Sequence, residues 1–133
     1  MGYKMIENEG NRFRFQIEYS QSNIGAKILD VLCLPYTPYG RIGIGTVHHI
    51  AFRTSSDESQ ISIRNSIIKM GLNPTPVIDR TYFHSVYFRE PGGVLFEIAT
   101  DPPGFTVDQK VQDLGKILML PQWLEPMRGR LER

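Results

Sequence analysis

The sequence predicts an α+β fold built around one strand–helix–strand–strand–strand (βαβββ) unit, and three observations support this. The chain has 133 residues, 41% hydrophobic and 22% charged, as expected for one globular domain. Between residues 46 and 105, four strand-like stretches and one helical pattern follow each other in that order. A Glu-Pro-Gly-Gly turn at 90–93 joins the last two strands as a hairpin.

Composition excludes several classes of partner. Lys and Arg number 15 against 14 Asp and Glu, so no strong overall field favours nucleic acid or an anionic membrane. No apolar run reaches the ~18 residues of a spanning helix. The single cysteine, Cys33, cannot form an internal disulfide, which favours a cytoplasmic location. Its place in an apolar stretch predicts a buried thiol rather than a nucleophile.

Residues 1–45 are predicted to form a partial βαβββ module of two strands followed by a connector. Residues 12–18 alternate apolar and polar side chains, as in a half-buried strand. Residues 26–34 read as a second strand, paired with the first through a turn at 20–23. Prolines and glycines at 35–45 then interrupt the pattern.

Residues 46–105 are predicted to form a complete module. Its first strand is expected at 47–54, and Ser55 with Glu58 has the spacing of a capping box that opens the helix. The spacing of Ile61, Ile67 and Ile68 gives this helix an apolar stripe, and Gly71 ends it. The remaining strands are expected at 75–78, 85–89 and 94–100.

The tail at 106–133 is predicted to dock on the domain or on a partner. A short helix is expected near 107–114, followed by an apolar segment at 118–126. Trp123 in that segment can act as a lid over a pocket or as a peg in an interface. The basic residues that follow are expected to be solvated, namely Arg128, Arg130 and Arg133.

Histidine and glutamate side chains are the first candidates for chemistry. Because successive side chains of a strand alternate between faces, His49 is expected on one face and His48 on the other. Glu97 is expected opposite Phe96 and Ile98, on the same face as His49. The helix then packs against the other face, which carries Ile50, Phe52, Phe96 and Ile98.

A glutamate flanked by apolar residues needs a partner, because burying an unpaired charge is costly. Two partners are open for Glu97: a metal ion shared with His49, or the guanidinium of Arg53. A surface pair without metal is the more ordinary use of such residues. Two ligands are also one short of the two-histidine, one-carboxylate set of non-haem iron sites.

A second group of candidates is Tyr87 and Arg80. The Tyr87 phenol can exchange a proton with a substrate or lie half-buried with its hydroxyl in water. Arg80 can bind an anionic oxygen or pair with Asp79 or Glu90. His84 is expected to be exposed and without a role in a site.

Four segments together resemble the C-terminal half of bacterial ring-cleaving dioxygenases of the hydroquinone type. These enzymes belong to the vicinal oxygen chelate (glyoxalase/bleomycin-resistance/extradiol dioxygenase) superfamily. The resemblance implies paired βαβββ modules that form a cupped, metal-holding sheet. It also implies oxidative cleavage of hydroquinone- or catechol-like diols with O₂ in aromatic compound degradation. The segments that carry it are 45–53, 76–80, 87–105 and 120–126.

Roles for individual residues follow from this resemblance. It implies that His49 and Glu97 bind Fe(II), with Mn(II) or another divalent metal as alternatives. It implies that His48 lies beside the substrate, that Tyr87 transfers protons and that Arg80 anchors the substrate. The family's third metal ligand is a histidine of an N-terminal half, and this chain has no second His-His motif. We therefore expect a chain that begins inside a module and is incomplete alone.

Two other functions remain open from the residues. A dimeric glyoxalase-like isomerase or transferase would build its metal site between two chains. A non-catalytic dimeric binding domain would pair through an exposed sheet edge. The expected partners are therefore a small aromatic substrate with O₂, and either a second copy of the chain or an N-terminal half.

Overall fold

The computed structural model of the chain describes residues 2–17 and 27–133, and their strands form two sheets. The first sheet is antiparallel and contains β1 (Tyr3–Glu9), β2 (Arg12–Ile17) and β3 (Ile28–Leu32) in that order. The predicted pairing of the second and third of these is confirmed, while β1 was not predicted. The turn predicted at 20–23 lies outside the described residues.

An ion pair holds β2 against β3. Arg14 and Asp30 are direct cross-strand neighbours, and the guanidinium donates two hydrogen bonds to the carboxylate, at 2.8 and 2.9 Å. The Arg14 hydrogen bond lowers the pKa of Asp30 to about 2. Cys33 lies just beyond β3 and is exposed, so the prediction of a buried thiol was wrong. Its backbone N–H donates to the carbonyl of Asn11, which ends the strand pair.

The second sheet has the predicted strand–helix–strand–strand–strand order. Its elements are β4 (Ile50–Thr54), α1 (Asp57–Lys69), β5 (Ile78–Asp79), β6 (Phe83–Arg89) and β7 (Leu95–Pro103). The strands lie in the order β4–β7–β6–β5, with β4 parallel to β7 and the other pairs antiparallel. Helix α1 connects β4 to β5.

Two strands of the second sheet are shorter than predicted, and in the first sheet β3 ends at Leu32 rather than at residue 34. Strand β4 begins at Ile50, three residues after the predicted start at 47. Strand β5 contains only two residues, because Pro76 within the predicted strand has no N–H to donate to a ladder. Thr75 still contacts the sheet, since its backbone N–H donates to the Tyr87 carbonyl at 2.9 Å.

The capping box of α1 lies one residue later than predicted. Ser56 is the N-cap, and its hydroxyl accepts from the backbone N–H of Ser59 while Ser59 Oγ accepts from the Ser56 N–H. Ser59 Oγ also contacts the Thr54 hydroxyl, which ties the start of the helix to the end of β4. Gly71, with φ of +80°, follows the C-cap and ends the helix as predicted.

A small apolar core lies between α1 and the second sheet. Its buried members are Ile67, Phe88 and Ile98. Of the predicted stripe, Ile61 and Ile68 are about half exposed, because only one narrow side of α1 contacts the sheet. Ile50 was expected in this core and is instead 38% exposed at the start of its strand. Partly buried side chains complete the core, namely Phe52, Ile63, Leu72 and Phe96.

A fully buried glutamine fastens α1 to the sheet. The β6–β7 ladder is irregular between Phe83 and Ser85, which takes His84 out of the regular pairing. Gln60 Nε2 donates to the backbone carbonyls of His84 and Ile98, both at 2.8 Å. The irregular point of β6 is therefore satisfied from the helix, as buried backbone groups require.

The tail contains short 3₁₀ turns, Phe105–Val107, Val111–Asp113 and Glu125–Met127, and a final helix α2 (Arg128–Leu131). The helix predicted near 107–114 was wrong, because Lys110 has extended backbone angles that separate the first two turns. Arg128 was expected to be solvated but bonds Glu125, Glu132 and the Leu118 carbonyl. Trp123 is 75% exposed. Across both described ranges, the helices are too short and polar to cross a bilayer.

Replacing Gln60 by Met should lower the free energy of unfolding by about 2–4 kcal/mol, because two buried carbonyls lose their donor. Urea unfolding followed by circular dichroism measures this difference. Gln16→Met, on the exposed side of β2, is the control and should change stability by less than about 0.5 kcal/mol. Equal effects of the two substitutions would contradict the fastening role.

The contact between His84 and Asp57 should make stability depend on pH. Their side chains meet at 2.6 Å, and the hydrogen bond to Asp57 raises the pKa of His84, with Asp79 adding a smaller attraction. The stabilisation is fully present below the ordinary histidine pKa of 6.5 and is lost as pH rises through the raised value. The stability difference between the native chain and His84→Gln should therefore shrink from acid to alkaline pH. A difference that does not vary with pH would contradict this.

Candidate active site

Glu97 is a carboxylate buried in the middle of β7, only 2% exposed. Phe96 and Ile98 beside it face α1, so strand alternation directs Glu97 to the opposite face. Both carboxylate oxygens have partners: Oε1 accepts from the hydroxyl of Ser85, and Oε2 lies 2.8 Å from His49 Nε2. The sequence-predicted pair is thus brought into direct contact.

His49 reaches Glu97 from the residue just before β4. In the parallel pairing of β4 and β7, Ala51 lies opposite Glu97, so His49 extends past the end of the ladder. A turn closed by the Thr46 N–H and the Gly43 carbonyl precedes it. The His49 side chain remains 34% exposed, which leaves one side of the ring open to solvent.

His48 lies next to His49, so its predicted place on the opposite face was wrong. The two Nδ1 atoms are 3.0 Å apart, and the rings meet edge to face with centroids 5.2 Å apart. Both residues precede Ile50, the first paired residue of β4. The alternation of a pleated strand therefore does not apply to them.

Tyr87 and Arg80 complete one side of this cluster. Tyr87 lies directly opposite Glu97 on β6, and its ring meets the His49 ring edge to face at 5.6 Å. Arg80 Nη2 lies 3.4 Å from the Tyr87 hydroxyl, with the guanidinium carbon 5.4 Å from the ring centroid. Neither expected acidic partner takes Arg80: Asp79 accepts from the Thr81 N–H, and Glu90 accepts from the hairpin turn.

Other candidate residues lie outside the cluster. Arg53, weighed as the partner of Glu97, donates instead to both carboxylate oxygens of Asp101, at 2.6 and 2.7 Å. The Asp101 hydrogen bond raises the pKa of Arg53. Ser85 was missed by the sequence reasoning. Ser85 lies two residues before Tyr87 on the same strand, so strand alternation predicts that both side chains lie on one face. That alternation is the sequence signal that would have identified Ser85.

The curated relatives of the chain are named as dioxygenases. No family model matches the chain. MhqO of Bacillus subtilis, named as a ring-cleaving dioxygenase, is 45% identical over 135 residues, covering 100% of this chain and 41% of MhqO. The chlorohydroquinone/hydroquinone 1,2-dioxygenase of Sphingobium indicum is 37% identical, covering 96% of this chain and 40% of that protein. The chain is a homologue of ring-cleaving dioxygenases.

Solved structures show that this chain has the glyoxalase-like fold. A crystal structure named as a dioxygenase of B. subtilis, 45% identical, matches with a TM-score of 0.80 over 99% of this chain and 41% of that one. Lactoylglutathione lyase of Agrobacterium tumefaciens matches with a TM-score of 0.51 at 17% identity, covering 74% of this chain and 75% of that one, and shows the fold alone. The chain spans about two fifths of the length of the curated relatives it matches.

The spacing of His49 and Glu97 in this chain suits two ligands of one divalent metal ion. Two ligand atoms at right angles, each about 2.1 Å from a metal, are separated by about 3 Å. His49 Nε2 and Glu97 Oε2 are 2.8 Å apart, so the pair suits two adjacent positions. Among residues 2–17 and 27–133, no group of three or more potential ligands is assembled. The residues present therefore fit part of a metal site.

The paired histidines constrain the proton positions around such a metal. A hydrogen bond between the two Nδ1 atoms requires one to carry a proton and the other a lone pair. If His49 gives its Nε2 lone pair to a metal, the neutral ring carries its proton on Nδ1. His49 then donates to His48, which fixes the His49 ring as ligating histidines require.

Proposed function

We propose that this chain carries part of the active site of a cytoplasmic, iron(II)-dependent ring-cleaving dioxygenase acting on hydroquinone- or catechol-like diols. The observation that carries the proposal is the 2.8 Å contact between His49 Nε2 and the buried Glu97 Oε2. An imidazole and a carboxylate held this close are two members of the set that non-haem iron uses. The identity to dioxygenases over nearly the whole chain supports this chemistry.

The metal is proposed to be held by His49 and Glu97 together with a histidine from outside this chain. Only three histidines occur in the sequence. His84 is engaged with Asp57, and His48 contacts His49 at Nδ1, the ring nitrogen that does not face Glu97. When bound, iron(II) supplies Lewis acidity toward a diol hydroxyl and the redox capacity that O₂ activation needs. In the overall reaction, both atoms of O₂ enter the opened ring.

The remaining residues are proposed to bind the diol and to move its protons. Arg80, already beside the Tyr87 hydroxyl, can hold a substrate oxygen as it becomes negative. The Tyr87 phenol faces the same space and can donate or accept a proton at its hydroxyl oxygen. His48 is exposed beside His49, and when its Nδ1 accepts from His49 its Nε2–H can donate a proton toward a substrate oxygen.

A second module is proposed to cover the site, from another copy of the chain or from another segment of the same protein. Within the described residues, β4 is paired on one edge alone, with β7. The chain exposes 10533 Å², whereas a compact 15.2 kDa monomer exposes about 7,100 Å². Large apolar side chains contribute to this surface, for example Ile42 (69% exposed) and Val47 (79% exposed) just before β4, and exposed apolar side chains favour association.

Metal titration tests the proposed ligands. Under anaerobic conditions, calorimetry with Fe(II) should detect binding that His49→Ala and Glu97→Ala each weaken by at least about 10-fold. His84→Ala is a matched control, because His84 is 33% exposed, His49 is 34% exposed, and each contacts one carboxylate. Equal binding by His49→Ala and His84→Ala would contradict the assignment.

Oxygen uptake tests the reaction. We expect the iron-loaded chain to consume O₂ with hydroquinone when it is mixed with the segment of MhqO that has no counterpart in this chain. Without that segment, the iron-loaded chain should be inactive. One O₂ should disappear for each ring-opened product, since both oxygen atoms enter it. His49→Ala should abolish uptake and His84→Ala should retain it. Uptake that is unchanged in His49→Ala would overturn the proposal.

A further inference from the structure

Ser85 is a fully buried serine on β6 whose hydroxyl meets the Glu97 carboxylate. We propose that Ser85 is a positioning residue: it holds Glu97 Oε1 so that Oε2 alone is presented beside His49. The inference rests on the proposed function of the His49–Glu97 pair. Ser85 acts on the site through Glu97, whose other oxygen is the one that contacts His49.

The direction of the hydrogen bond follows from the chemistry of the two groups. An ionised carboxylate can only accept, so the serine hydroxyl donates to Glu97 Oε1. Rotation about the last bond of a glutamate has broad, weak preferences. A donor fixed at one oxygen removes that freedom and directs the second oxygen to a single place. That place lies 2.8 Å from His49 Nε2.

Ser85 is itself held firmly by the backbone around it. It follows the irregular point of β6, where the His84 carbonyl accepts from Gln60 and the His84 N–H donates to the Thr100 hydroxyl. Ser85 pairs with Ala99 across the strands, and its hydroxyl reaches diagonally along the same face to Glu97. The hydroxyl therefore occupies a position fixed from α1 and from β7.

One consequence concerns how Glu97 can bind a metal. Because Ser85 takes one lone pair of Oε1 and fixes its direction, Oε2 is the oxygen that is free of a hydroxyl donor and turned toward a cation beside His49. Ca²⁺ often takes both oxygens of a carboxylate at 2.3–2.6 Å, whereas smaller divalent cations accept a single oxygen. The serine therefore favours a small divalent cation over Ca²⁺ at this place.

Substitution of Ser85 tests the proposal without metal. In a crystal structure of Ser85→Ala, the carboxylate should rotate so that the His49–Glu97 contact opens from 2.8 Å to beyond hydrogen-bond range, or both oxygens turn to His49. If the alanine variant does not fold, Ser85→Cys is used in its stead, because a thiol is close to a hydroxyl in size and is a weaker hydrogen-bond donor. A carboxylate unchanged from the native position would overturn the proposal.

Manganese binding gives the second readout. Mn(II) titration, followed by the electron paramagnetic resonance of the free ion, should show about 10–100-fold weaker binding by Ser85→Ala. Thr54→Val is the matched control, since it removes another buried hydroxyl of this sheet that bonds Ser59 rather than Glu97. Its binding should equal that of the native chain.

The outcomes separate the two proposals. If the native chain binds Mn(II) and Ser85→Ala binds it equally well, the positioning role is overturned and the proposed function stands. If the native chain, mixed with the part of MhqO that has no counterpart in it, binds no metal dependent on His49, the proposed function fails, and the carboxylate position in the variant crystal still decides the role of Ser85.

Discussion

Burial of the Glu97 charge is the constraint on which the rest of this site depends. A carboxylate removed from water is tolerated only where both oxygens find partners. Ser85 supplies one partner from β6 and His49 the other from the residue just before β4, so three strands must keep their relative positions for the charge to be accommodated. The site is thus part of the packing of the sheet and not an addition to its surface.

The two faces of the second sheet have different roles, one in core packing and one in forming the site. One face packs Phe88 and Ile98 against Ile67 of α1, and the other gathers the polar cluster around Glu97. Gln60 crosses this division, because its amide reaches the backbone of β6 and β7 from the helix side. Packing on the apolar face therefore determines where Ser85 stands on the polar face.

Sequence patterns predicted what depends on periodicity and missed what depends on local backbone detail. The order of elements around α1 followed from turn signals, and alternation along β7 placed Glu97 opposite the core. His48 was misplaced because β4 begins only at Ile50, and a strand's first paired residue is not visible in its composition. The irregular pairing at His84 depends on a donor from a distant helix, which no local pattern reveals.

Phe96, Glu97 and Ile98 lie side by side on β7, with the charge between two core residues. A slip of β7 by one residue would exchange the faces of all three side chains. The carboxylate would then lie against the apolar side chains of Ile67 and Phe88, while two large apolar groups would take its place among polar side chains. Pairings of β7 in the wrong register are therefore much higher in energy than the native pairing. Glu97 thus helps to specify the register of the strand as well as forming part of the site.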